Sequence, residues 1–244
     1  MSWENRNDTD VIARSGASLE IDEGLRRYML QVYNYMTLGL LLTAFVSYLF
    51  SVTPLGLMFF DPKGQPNLLG WIAIFAPFVL IFMLSSAVAS GNAAKAFSLF
   101  VVYSGLLGVS LTTVFWAYTG LSILRVFLIT AGTFAAMSLY GYTTNRNLTT
   151  VGSFLTMGLF GIIIASIVNI FLKSEALYFT VSVLGVAVFV GLTAWDTYKI
   201  RDMYNENDAQ NQVTSKAIYG ALMLYLDFVN LFLMLLRFFG NRRN

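Results

Sequence analysis

Two aspartates are the residues of this chain whose type and placement could do chemistry. Asp227 sits near the middle of Ala217–Gly240, AIYGALMLYLDFVNLFLMLLRFFG, a stretch long enough to cross a bilayer. A span needs roughly 20 apolar residues, and a carboxylate at mid-depth costs about 3 kcal/mol on insertion scales. Such a group turns inward, toward a partner or toward water. The candidate partner is Asp196 in GLTAWDTYKI, because the two helices join on one side of the membrane through the loop 201–215. Two carboxyl groups in a dry bundle cannot both ionise cheaply, so they share a proton. Protonated, the pair ties its helices together. Doubly ionised, it repels and opens a path lined with negative charge, suited to a cation. Asp196 and Asp227 are thus read as a pH-sensing and gating pair and as a transient cation contact. Asn230 lies one turn from Asp227, Thr193 and Thr197 flank Asp196, and Tyr225 stands two residues before Asp227. Those neighbours also support a plainer alternative, in which each aspartate bonds locally and only fixes packing.

The depths of the two must agree. At about 1.5 Å per residue, Asp227 lies roughly 15 Å into a helix starting near Ala217, whereas Asp196 is only about 5 Å from Lys199. The mismatch closes if the sixth span continues as helix to about Tyr204, with Lys199 and Arg201 snorkelling. Asn169 and Glu175 are further oxygen donors. Asn169 reads as a helix–helix hydrogen bond and Glu175 as a loop charge.

The elements that hold these residues follow from composition. The 244 residues are 57% hydrophobic and only 11% charged, against about 25% charged in soluble domains. This is an integral membrane protein of helical type, since alternating ten-residue strands are absent. There is no cysteine and no histidine. Disulfides, thiol nucleophiles, most zinc sites, haem ligation by histidine and Ser–His chemistry are excluded. No resident cofactor is called for, and the small net charge of +2 gives no sign of nucleic-acid binding.

Residues 1–27 read as a polar tail that becomes helical near Leu19, without the pattern of a signal peptide. Residues 28–240 form the membrane domain. Its spans are about 28–52, 68–90, 95–118, 121–142, 148–172, 176–199 and 217–238. Pro77 falls inside the second and is expected to kink it. Short connections make successive spans antiparallel neighbours. Small residues such as Gly158, Gly161, Gly185 and Gly191 allow close helix contact. Trp71, Trp116 and Tyr118 read as interfacial belt residues. Lysine and arginine set the orientation. With the N-terminus cytoplasmic, the inner side holds Arg6, Arg14, Arg26, Arg27, Lys95, Arg146, Lys199, Arg201 and Lys216, and the outer loops Lys63, Arg125 and Lys173. Arg237, Arg242 and Arg243 then lie outside, against the bias, unless the last segment re-enters. A full seventh crossing is the preferred reading.

At VYNYMTLGL (Val32–Leu40), AWDTYKI (Ala194–Ile200) and LYLDFVNLFLMLLRFFG (Leu224–Gly240), the chain resembles the transmembrane Bax inhibitor motif-containing family. The resemblance runs from about Arg26 to Gly240. It implies an all-α, seven-helix transmembrane bundle whose last helix is central and surrounded by the other six. It also implies a pH-sensitive calcium leak, with Asp196 and Asp227 at the positions of the family's aspartate pair. The chain looks like a bacterial member, hence a cytoplasmic (inner) membrane protein. One departure stands out. Some members carry an arginine late in the second span, where this chain reads LSSAVASGNAAKAF with no basic residue before Lys95.

Two functions of different class follow. One is a calcium or other cation leak gated by the aspartates. The other is a non-conducting regulator that binds membrane proteins, such as a membrane protease, in a stress response. Intramembrane hydrolysis is remote, because the aspartates sit in WDT and LDF frames and not beside the glycines of aspartyl proteases.

Overall fold

A computed structural model describes the backbone of residues 4–243 and the side chains of residues 23–243. Eight α-helices follow in order: α1 Glu4–Val52, α2 Leu68–Ala89, α3 Ala93–Ser110, α4 Thr112–Ala117, α5 Gly120–Thr143, α6 Thr149–Leu172, α7 Glu175–Asp202 and α8 Gln210–Phe239. Among the described residues, β pairing is confined to the isolated bridges Phe60–Pro66 and Tyr118–Arg242. Seven helical segments are long and apolar enough to cross a membrane, with α3 and α4 counting as one span broken at Leu111. The protein is an all-α, multi-pass membrane protein.

Local chemistry sets many of the ends. Asn67, Asn92 and Ser174 accept the amides of Gly70, Lys95 and Leu177 at the starts of α2, α3 and α7, the usual role of a short polar side chain at an N-cap. Lys173 closes α6 with φ 50°. The first helix starts well before Leu19. No proline precedes Pro54, and Arg6, Asp10 and Arg14 alternate in sign at helical spacing, which favours an early start. The last span also starts early, at Gln210, and is one continuous helix to Phe239, so the re-entrant alternative falls.

Pro77 lies within the continuous helix α2. A proline deprives the carbonyl four residues earlier of its helical donor. That carbonyl belongs to Ala73, and Ser110 Oγ of α3 donates to it at 3.0 Å. Trp116 faces inward, not to the interfacial belt. Its Nε1 donates to Ser51 O at 3.0 Å and its ring meets Phe60 edge-on.

The helices fall into two groups. α1 and α2 each pack on α3, and α5 and α6 each pack on α7. α8 packs extensively against α1, α2, α3, α5 and α7. Within its most apolar window 56% of residues are buried, against 6% for α6, so α8 is the most enclosed span and α6 the most exposed. α6 lies mainly against α7, which gives α8 five extensive partners.

The two ends of the bundle are distinct. Tyr28 of α1 packs on Tyr204, just past α7, with ring centroids 5.6 Å apart. At the other end the chain terminus docks on the α4–α5 turn: Thr119 N donates to Asn241 O, Arg243 N to Ala117 O and Asn241 N to Ser122 Oγ. Aromatic rings receive the arginines there. Arg237 lies 5.1 Å from the Tyr178 ring centre, and beyond the span Tyr118 bonds Arg242 and holds its guanidinium further above the usual arginine range.

Candidate functional site

α7 and α8 are antiparallel, and two glycines set how closely they approach. A Cβ on Gly220 would lie 2.9 Å from Ile200 Cγ2, and one on Gly185 would lie 2.9 Å from Met234 Sδ. These contacts bracket the aspartates and fix the register. Asp227 comes level with Thr193, about one turn of α7 from Asp196. α7 runs on to Asp202, with Met203 closing it, so the sixth span overruns its apolar part by the length that the depth comparison demands.

The side chains beside Asp196 are held in turn by α5 and α6. The backbone of Gly141 in α5 abuts the carbonyl of Ala194, with no room for a Cβ. Gly152 of α6 receives the indole of Trp195 in the same way. Thr197 Oγ1 donates to Thr193 O at 2.7 Å and lies 3.0 Å from Ser138 Oγ, which meets Tyr33 OH of α1. With Ala194, Trp195 and Thr197 turned to α5 and α6, Asp196 is left on the face toward α8.

Both aspartates are buried, at 9% exposure for Asp196 and 4% for Asp227. Their carboxyl groups are close enough for their charges to interact. Asp196 Oδ1 and Asp227 Oδ2 are buried without a hydrogen-bond partner. Among the described residues the ion pairs are Arg27–Glu23 and Lys216–Asp208, so neither aspartate belongs to one. Lys199 lies over the Trp195 ring at 5.1 Å, and Arg201 donates to the carbonyls of Tyr142 and Thr144. Lys95 is exposed at the start of α3 and takes no part.

The supporting residues go elsewhere. Asn230 Nδ2 donates to Leu226 O within its own helix. Tyr225 OH meets Thr43 Oγ1 of α1 at 2.6 Å, and its ring packs edge-on against Phe100 and Tyr103 of α3. Two residues along a helix is about 200°, so Tyr225 and Asp227 necessarily face opposite sides. Thr197 stands beside the site through Ser138. Asn169, expected to bond between helices, instead accepts Ser174 N and shapes the α6–α7 turn. Glu175 is exposed at the first position of α7. Ser138, Tyr33, Gly141 and Gly152 escaped the sequence reading. The pair Ser138 and Gly141, small residues on one face of a span, was the available signal.

Among the described residues no cluster of three or more metal-ligating side chains exists. Two carboxyl groups alone offer fewer oxygens than the 6–8 that calcium takes. The arrangement can hold a proton between two helices, and it can meet a cation only in passing.

A family model described as "Inhibitor of apoptosis-promoting Bax1" matches residues 25–244. The chain is 47% identical to the inner membrane protein YbhL of Escherichia coli strain K12 over 236 residues, which is 96% of this chain and 100% of that protein. It is 48% identical to the protein RP147 of Rickettsia prowazekii over 239 residues, covering 97% and 98% of the two chains. It is 34% identical to YrjE of Lactococcus lactis over 243 residues, 96% and 97% of the two.

Proposed function

The chain belongs to the Bax inhibitor-like membrane protein family, and from that premise we propose that it is a pH-sensitive cation leak, with calcium the permeant ion, gated by Asp196 and Asp227. One observation carries the reading: two carboxyl groups face each other in the buried α7–α8 seam, and neither belongs to an ion pair among the described residues. With a shared proton the pair bonds and the seam closes. With both groups ionised, like charges in a low-dielectric setting repel, the helices part, and the opened seam attracts a cation. The cation replaces the proton as the neutralising charge and moves on, because two carboxylates are too few ligands to retain it. No arginine from the second span latches an ionised aspartate here. The protein is not an enzyme on this reading and uses no resident cofactor.

The relative named as an inner membrane protein supports a place in the bacterial cytoplasmic membrane. The bias of lysine and arginine supports a cytoplasmic N-terminus, and seven crossings then put the C-terminus outside.

The test is calcium entry into liposomes holding the purified protein, scanned from about pH 6 to 8, the range in which an unusual carboxyl pair should act. Flux should rise with pH, and Asp196→Asn or Asp227→Asn, each permanently neutral at one position, should flatten the profile. Folded protein with no flux above empty liposomes would overturn the leak reading. One observation favours a second reading, a non-conducting regulator of other membrane proteins: α6 presents Phe154, Met157, Phe160, Ile164 and Phe171 outward. Such a face suits a helix of another membrane protein, a protease among them. Absence of flux together with co-purification of such a partner, lost on recutting the α6 face, would establish it.

A further inference from the structure

A cavity of about 600 Å³ lies between α1 and α5, away from the α7–α8 seam. These two helices make no extensive direct contact, and Phe228 of α8 forms part of the wall behind the gap. Its lining is graded along its length. Arg26, Tyr33, Ser138 and Tyr142 border it toward the end where α1 meets Tyr204, and Ala44 and Phe127 lie toward the other. The contact of Tyr33 OH with Ser138 Oγ fixes this register. Positive charge is concentrated at the polar end. Arg26 borders the cavity, and Arg201 is anchored on the carbonyl of Tyr142.

We infer that this groove holds one acyl chain of an anionic phospholipid, with the head group at Arg26 and the chain running along α1 toward Ala44. Size and polarity both select that occupant. From Tyr33 to Ala44 the helix rises about 16 Å, close to one leaflet's half of a roughly 30 Å hydrocarbon core. A partner helix of that length, about 10 Å across, needs roughly 1,200 Å³, twice the space present. Away from its polar end Thr37 is the one polar side chain of the lining, so a hydrated ion finds little to hold it along the apolar length. Basic side chains between spans on the cytoplasmic side are the expected receptor for an anionic head group, and the polar end of the groove lies on the lysine- and arginine-rich side. The groove shares Tyr33 and Ser138 with the hydrogen-bond chain that reaches Thr197 but includes neither aspartate, and it stands whether or not the protein conducts.

Native mass spectrometry of protein released from nanodiscs of equal parts phosphatidylglycerol and phosphatidylcholine tests it. The wild type should retain phosphatidylglycerol in preference. Arg26→Gln should reduce that preference about fivefold, the worth of one basic residue near the surface, and Lys63→Gln in the opposite loop should not. Ala135→Trp, which fills the groove from α5, should expel the lipid. Ala44→Phe reads the same groove from α1 should the first variant lose its fold. Equal retention of both lipids by the wild type, or retention unchanged in the filled variants, would overturn the assignment. So would a protein, in place of lipid, captured by a photoreactive side chain at position 135.

Discussion

Asp227 is costly where it stands, and the cost is contained by geometry. A carboxyl group buried in a span needs a proton or a counter-charge, and Asp196 is the neighbour that can share a proton with it. The same logic governs Ser110 and Ala73. Proline removes one amide from α2, and a hydroxyl from α3 supplies the missing donor. Ser110→Ala should therefore destabilise the protein in detergent by about 0.5–2 kcal/mol, the range for a buried hydrogen bond between spans. The loss should shrink in a Pro77→Ala background, where the helix restores its own bond. Equal losses in both backgrounds, in thermal unfolding, would disprove the assignment. Asp227→Asn should alter the pH profile of flux and leave folded yield near wild type, because an amide keeps the shape and the hydrogen-bonding capacity of the carboxylic acid. Loss of folded protein with an unchanged pH profile in the remainder would leave Asp227 as a packing residue.

At the scale of elements, glycine placement governs the site. Gly141 and Gly152 let α5 and α6 grip the residues around Asp196, and Gly185 and Gly220 let α8 approach. Gly141→Val should push α5 off the Ala194 carbonyl. Overpacking of this kind costs about 1–3 kcal/mol, read as a lower thermal midpoint in detergent. Because backbone meets backbone there, no rotamer change can relieve it. At Gly185 the facing atom is the flexible end of Met234, so Gly185→Ala should shift the midpoint less than Gly141→Ala. The reverse order would show that the α5–α7 contact is less tight than its geometry.

For the whole molecule, the two helix groups meet through α8, and the chain terminus is tied back onto the α4–α5 turn. Removal of residues 241–244 should free the amide of Thr119 and loosen that turn. Each bond is worth about 1 kcal/mol, a factor of about five, so hydrogen exchange across 117–123 should accelerate at least about fivefold while the α7–α8 seam keeps its protection. Unchanged exchange at 117–123 would mean that the tail adds nothing to that end. The division into two groups also leaves the α1–α5 gap, which no single helix could have created.

Much of this protein is determined by its sequence alone. Twenty-residue apolar runs with so few charges can only be spans, because lipid cannot satisfy open backbone. An aspartate inside such a run marks itself, since burial of a charge is rare without a purpose. The overrun of the sixth helix followed from depth arithmetic alone. Side-chain direction did not follow. Tyr225 and Asn230 were near Asp227 in sequence, yet one faces α1 and α3 and the other bonds within its own helix. Helical phase decides which neighbour a residue meets, and rotation of a span about its axis is set by packing, to which an all-round apolar sequence gives little clue. The same holds for Ser110 with Ala73, for the glycines clamping α7 and for the groove. Each joins residues distant in sequence, and only the packed bundle brings them together.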